Sequence, residues 1–119
     1  MGRTHPKVSY LLGAPCLQPE GASAQVETAL HALEGRWKLA IVFRLFGLDD
    51  LRFSELERSM PGISQKVLAQ RLRELERDGI VARTVHPEVP PRVEYRLTER
   101  GRALRPALAL LREWAATHA

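Results

Sequence analysis

Apolar positions recur along the chain with two different periods, and the changes of period divide it into elements. Val26, Ala29, Leu30 and Leu33 stand at i, i+3, i+4 and i+7, one face of a helix that Gly35 stops. The next stretch, Leu39 to Leu48, is apolar nearly all round. Trp37, Ile41, Leu45 and Leu48 share one face, and Val42, Phe43 and Phe46 fill others. A helix of that kind is expected at the centre of a core. Gly47 and Asp49-Asp50 mark its end. Leu51-Arg52 reads as a minimal strand. Phe53, Leu56 and Met60 then space a short helix over 53–59, with Glu55 and Glu57 near its positive end and Pro61-Gly62 closing it. Ser64 is a good N-cap for a helix over 65–78, which Gly79 terminates. Two short helices joined by a turn near Pro61-Gly62-Ile63 are the outline of a helix-turn-helix.

Beyond Gly79 the period falls to two. Ile80 to His86 is rich in β-branched residues, and Val93, Tyr95 and Leu97 alternate with Glu94 and Arg96. Pro87, Pro90 and Pro91 stiffen the connection between these strands, so the pair reads as a wing. Thr98 then caps a last helix. Leu104, Leu108, Leu111 and Ala115 form one stripe on it, and Ala107, Leu110 and Trp114 form a second. So broad an apolar face is expected to pack on a second copy, with covering its own core as the alternative. Pro106 is expected to bend this helix. Residues 1–24, with three prolines and three glycines and no sustained period, read as an irregular arm, and 25–117 as the folded domain. The fold class is α+β and mainly helical: a winged helix-turn-helix with a two- or three-stranded antiparallel wing and terminal dimerisation helices.

Composition narrows the function. The 119 residues are 45% hydrophobic and 27% charged, an ordinary globular balance for one domain. No apolar run approaches the roughly 18 residues of a membrane span. The N-terminus makes a poor signal peptide, so a cytoplasmic protein is expected. One cysteine excludes an intrachain disulfide framework and a multi-cysteine metal site. The net charge of +4 permits nucleic-acid binding, and its distribution is more telling. Residues 60–105 hold ten Lys or Arg against six Asp or Glu, so the whole excess lies in the segment with the helix-turn-helix and the wing.

The candidate chemistry lies on the second helix of the pair. On a wheel of about 100° per residue, Leu68, Leu72 and Leu75 face the core. Lys66, Ala69, Gln70, Arg73 and Arg77 face the other way, with Ser64 and Gln65 at the tip. Arg or Lys reads guanine and Gln reads adenine in the major groove, so this face suits DNA. Glu74 and Glu76 leave open a merely solvated charged face. Arg92 on the wing is a candidate for a minor groove or a phosphate, and Arg52 and Arg58 for phosphates. Arg52 and Arg58 could equally be ordinary surface ion pairs. Catalytic patterns find little support. His5, His31, His86 and His118 are scattered, and Lys66 stands where a nucleophile elbow beginning at Gly62 needs its second glycine. No enzyme, cofactor or metal site is expected. Cys16, in the arm, has no Lys or Arg within eight residues to lower its pKa.

Taken in order, Gly35-Arg36-Trp37-Lys38, Leu51 to Leu56, Pro61 to Lys66, Gln70 to Leu75, Pro87 to Tyr95 and Leu97 to Gly101 resemble the HxlR-type winged helix-turn-helix transcriptional regulators. The resemblance runs from about Val26 to Trp114. It implies a homodimeric regulator of double-stranded DNA, and a repressor is expected. It assigns the dimer to the first and last helices, base reading to the helix from Ser64, and backbone or minor-groove contact to the wing. Many members carry a thiol thirteen residues before the tryptophan. Here that position is Ala24, and Cys16 lies eight residues earlier. A switch responding to a thiol oxidant or to an unknown small-molecule effector, and a winged helix used for protein–protein contact, stand as alternatives.

Overall fold

The computed structural model describes residues 19–119. They fall into two compact units that divide between Glu34 and Gly35.

In the first unit, helix α1 spans Pro19–Leu33. It begins at Pro19, so its first six residues fall within the expected irregular arm of 1–24. Proline suits a first helical position, because the N–H it lacks would have no partner there. Thr28 Oγ1 donates to the Ala24 carbonyl at 2.9 Å, and His31 meets Glu34 at 3.5 Å. The rest of the arm, including Cys16, lies outside the described residues.

The second unit opens with a tight turn in which Gly35 and Trp37 both have positive φ, +115° and +82°. Helix α2, Lys38–Gly47, follows. Its Ile41, Val42 and Leu45 are buried, whereas Leu39 and Phe43 are exposed. Leu48, expected on the inner face, is exposed too, because the helix ends at Gly47 and Leu48 is already extended. Strand β1 is Leu51–Arg52 and helix α3 is Phe53–Ser59. The Arg52 N–H donates to Glu55 Oε1 at 2.8 Å, which satisfies one of the free donors at the α3 start. Gly62, at φ +94°, turns the chain into helix α4, Gln65–Arg77. Ser64 caps it as expected, its Oγ accepting from the Val67 N–H at 3.1 Å. At the other end Gly79 N–H donates to the Glu76 carbonyl and Ile80 N–H to the Leu75 carbonyl, a Schellman stop.

Strands β2, Val81–His86, and β3, Arg92–Leu97, form the wing hairpin. β1 pairs on the far side of β3, so the antiparallel sheet has the order β1-β3-β2. Register places Leu51 opposite Tyr95, Val81 opposite Leu97 and His86 opposite Arg92. Leu56, Met60, Leu68, Leu72, Leu75, Ile80, Val81 and Leu97 join the α2 residues in one core.

The last helix is broken rather than bent. α5 covers Glu99–Arg102, and α6 restarts at Arg105 and runs to His118. Pro106 has no N–H to give the Arg102 carbonyl, and its ring would crowd that carbonyl. The chain therefore stops and begins again, with Pro106 in the first turn of α6, where no donor is required. On α6 only Leu108 is buried, and Leu110, Leu111 and Trp114 are exposed.

Candidate nucleic-acid interface

Three leucines, Leu68, Leu72 and Leu75, hold α4 to the core. The helical period then fixes what faces outward: Gln65, Lys66, Gln70, Arg73 and Arg77 are all exposed, with Ser64 at the tip. Lys66 and Arg73 form no ion pair among the described residues. Arg77 leans to Asp78 at 3.6 Å. Ser64 Oγ already accepts the Val67 N–H as a cap, which leaves its hydroxyl proton and one lone pair to offer a ligand.

The two carboxylates that counted against groove reading are both occupied. Glu76 lies 3.7 Å from Arg83 on β2. Glu74 is met at 3.1 Å by Nη1 of Arg71, one turn back on α4, and at 3.6 Å by Nζ of the buried Lys38 on α2. Burial opposes its ionisation, but Arg71, and then Lys38, outweigh that and hold the carboxyl below its usual range. Arg71 also donates through Nε to the Arg36 carbonyl at 2.9 Å. The Trp37 indole lies beneath the Arg36 guanidinium at 5.0 Å and reaches toward Gly62 in the helix-turn-helix turn. The turn at 35–38 thus braces both the reading helix and the bend before it. This brace was not predicted. Its signal is the run Gly35-Arg36-Trp37-Lys38 together with Arg71 and Glu74, whose spacing in sequence says nothing about their meeting. Gln70 Nε2 lies 3.5 Å from Glu74 Oε2, at the limit of a hydrogen bond, so its amide stays available.

On the wing, the candidate Arg92 is engaged within the protein. Arg92 is not a free cation. Its Nη2 lies 2.9 Å from Glu88 and its Nη1 3.7 Å from Glu94. Glu94 also bonds His86 Nε2 at 2.8 Å. That hydrogen bond, against some desolvation and with help from Arg92, keeps the Glu94 carboxyl below its ordinary range. The alternation of β3 explains the grouping: Arg92 and Glu94 share a face, and His86 stands opposite Arg92 across the hairpin. Between the hairpin tip and the start of α3 runs an open groove lined by Arg52, Ser54, Glu88 and Arg92. Arg52 and Arg58 are exposed and make no ion pair among the described residues. Among the described residues no helix is long and apolar enough to cross a membrane, and no cluster of His, Cys, Asp and Glu is placed to hold a metal ion.

A capped reading helix behind a glycine turn, with a three-stranded sheet ending in a hairpin, defines a winged helix-turn-helix of the DNA-regulatory class. Residues 32–119 match the model of the HxlR-like helix-turn-helix family, and the chain belongs to that family. It is 48% identical over 93 residues to the HTH-type transcriptional regulator YtcD of Bacillus subtilis, an alignment covering 78% of this chain and 73% of that one. A crystal structure of a MarR-family transcriptional regulator from Enterococcus faecalis superposes with a TM-score of 0.78 at 41% identity, covering 87% of this chain and 93% of that chain. The redox regulator HypR in its reduced form superposes with a TM-score of 0.73 at 43% identity, covering 78% and 91%. The protein is a transcriptional regulator of the helix-turn-helix type.

Proposed function

We propose that the protein is a cytoplasmic repressor that binds as a homodimer to a roughly two-fold symmetric operator, with one α4 in each of two successive major grooves about 34 Å apart. The observation that carries this reading is the outer face of α4. Lys66 and Arg73 stand there without internal ion pairs while Glu74 and Glu76 are held elsewhere. Gln65, Gln70 and Arg73 are the base readers in this assignment, Lys66 is a phosphate contact, and Ser64 sets the helix start. Arg52 and the wing's Arg92 contact the backbone beside the grooves.

Binding of the purified protein to its own upstream DNA, against random DNA and across a salt series, tests the reading. Lys66→Ala should weaken binding to both DNAs and flatten the salt slope by about 1. Gln70→Ala and Arg73→Ala should instead relax preference at defined base pairs, costing about 1–3 kcal/mol each. Equal losses on both DNAs for all three variants would remove the groove-reading assignment. The likeness to the redox regulator HypR favours one second reading, a thiol-responsive switch. Ala24 stands at the family's thiol position, so that switch would work through Cys16. An oxidant response that survives Cys16→Ser would exclude it.

A further inference from the structure

We infer that Glu88 is an internal competitor for the DNA backbone: its carboxylate occupies the anion seat that Arg92 offers to a phosphate, and it sets how tightly the wing holds DNA. The inference rests on the proposal that the wing contacts the backbone. A guanidinium presents planar N–H donors that fit a carboxylate or a phosphate oxygen in much the same way. In the free protein Arg92 Nη2 is filled by Glu88 at 2.9 Å. The inner side of the same fork faces Glu94 at 3.7 Å, and Glu94 is itself fastened to His86. Arg92 Nε is buried with no hydrogen-bond partner among the described residues, so the fork's donors are not all satisfied from within the protein.

The two carboxylates differ in how firmly they are fixed. The Glu94 side chain is 18% exposed and is bonded by His86, whereas the Glu88 side chain is 52% exposed and has only Arg92. Glu94 therefore orients the guanidinium, and Glu88 is the partner that can leave. The backbone keeps the competitor in place: the Glu88 N–H donates to the His86 carbonyl at 2.8 Å, and Pro87, Pro90 and Pro91 restrict the tip around it. A phosphate arriving at the groove beside Arg52 and Ser54 meets an arginine already aimed and a carboxylate that repels it. Binding through the wing must displace Glu88 first.

The test is a double-mutant cycle of Glu88→Gln and Arg92→Gln, read as affinity for a mixed-sequence duplex of about 30 base pairs at low salt. The proposal expects Glu88→Gln to tighten binding about three- to tenfold in the natural background and by less than about twofold beside Arg92→Gln. Arg92→Gln alone should weaken binding. If Glu88→Gln gives the same gain in both backgrounds, Glu88 acts only as a diffuse negative charge and the competitor is overturned, while the wing contact stands. If neither substitution changes affinity, the wing does not touch the backbone and both readings fall. Glu88 is largely solvated, so its variant should keep the natural thermal midpoint, which separates these outcomes from misfolding.

Discussion

Gly101 has an ordinary negative φ, yet no other residue fits there. A Cβ at this position would fall inside the van der Waals surface of the Ile80 carbonyl oxygen and press on Leu97 Cδ2 at 3.1 Å. The approach is close because Ile80 O accepts the Thr98 N–H at 3.0 Å, which ties the start of α5 to the start of the wing. Thr98 Oγ1 reinforces the joint from both sides, accepting from the Gly101 N–H at 3.0 Å and donating toward the Gly79 carbonyl. The obstacle is backbone, not the yielding end of a side chain, so relief requires α5 to lift off the sheet. Gly101→Ala should cost about 3 kcal/mol, the upper range for overpacking a close contact. Urea denaturation followed by circular dichroism measures it, and an unchanged midpoint would refute the close-approach account. Nothing local in the sequence marks this glycine. It sits inside a helix, where glycine reads only as a weak helix former, and its reason lies twenty-one residues away at Ile80.

At the scale of elements, the helix-turn-helix was the most legible part of the chain. α3 matches its expected span of 53–59, and α4 ends at Arg77, one residue short of the span expected from Ser64 to Gly79. Capping, glycine stops and an apolar stripe all act within a few residues, so they can be read in one dimension. The break at Pro106 was half legible: the proline was seen, but a bend was expected where the chain stops and restarts. The brace between α2 and α4 was not legible, because Lys38 and Glu74 lie thirty-six residues apart and charge alone names no partner. That brace carries a pH dependence. The Glu74 carboxyl is held below its ordinary value in the fold, so on acidification it binds its proton later than in the unfolded chain. Its contribution to stability is therefore complete above the unfolded value and is lost as pH falls through the folded one. Glu74→Gln should lower the urea midpoint at neutral pH, since it leaves the buried Lys38 without its carboxylate. It should also flatten the fall in stability between pH 5 and pH 3 relative to the natural chain. Parallel pH profiles for the two proteins would mean that the brace is not linked to that titration.

At the scale of the whole molecule, three of the large exposed apolar side chains gather on one element. Leu110, Leu111 and Trp114 are 67%, 54% and 60% exposed, and all lie on α6. Leu110 and Leu111 belong to the two adjacent stripes, and each neighbours Trp114, at i+4 and i+3, so the stripes meet in one band of large side chains facing water. Single exposed leucines need no explanation, but a stripe that includes a tryptophan marks an interaction surface. α1 carries a similar pair, Val26 and Leu30, more than half exposed. A two-fold interface uses the same patch on both copies, so one stripe can cover its own image. The symmetric operator proposed here requires such a pairing, because only a dimer delivers two α4 helices at one groove repeat. Leu111→Glu with Trp114→Glu would bring four like charges together in the dimer and bury them without partners, yet in a free monomer both residues already face water. The double variant should therefore keep its helical content and sediment as a monomer. It should lose most of its preference for a two-half-site duplex over a single half-site, since avidity between linked sites disappears with the second copy. A variant that still sediments as a dimer would place the interface away from α6. A variant that becomes monomeric yet keeps the natural protein's preference for two half-sites would show that the second copy is joined through DNA rather than through these helices.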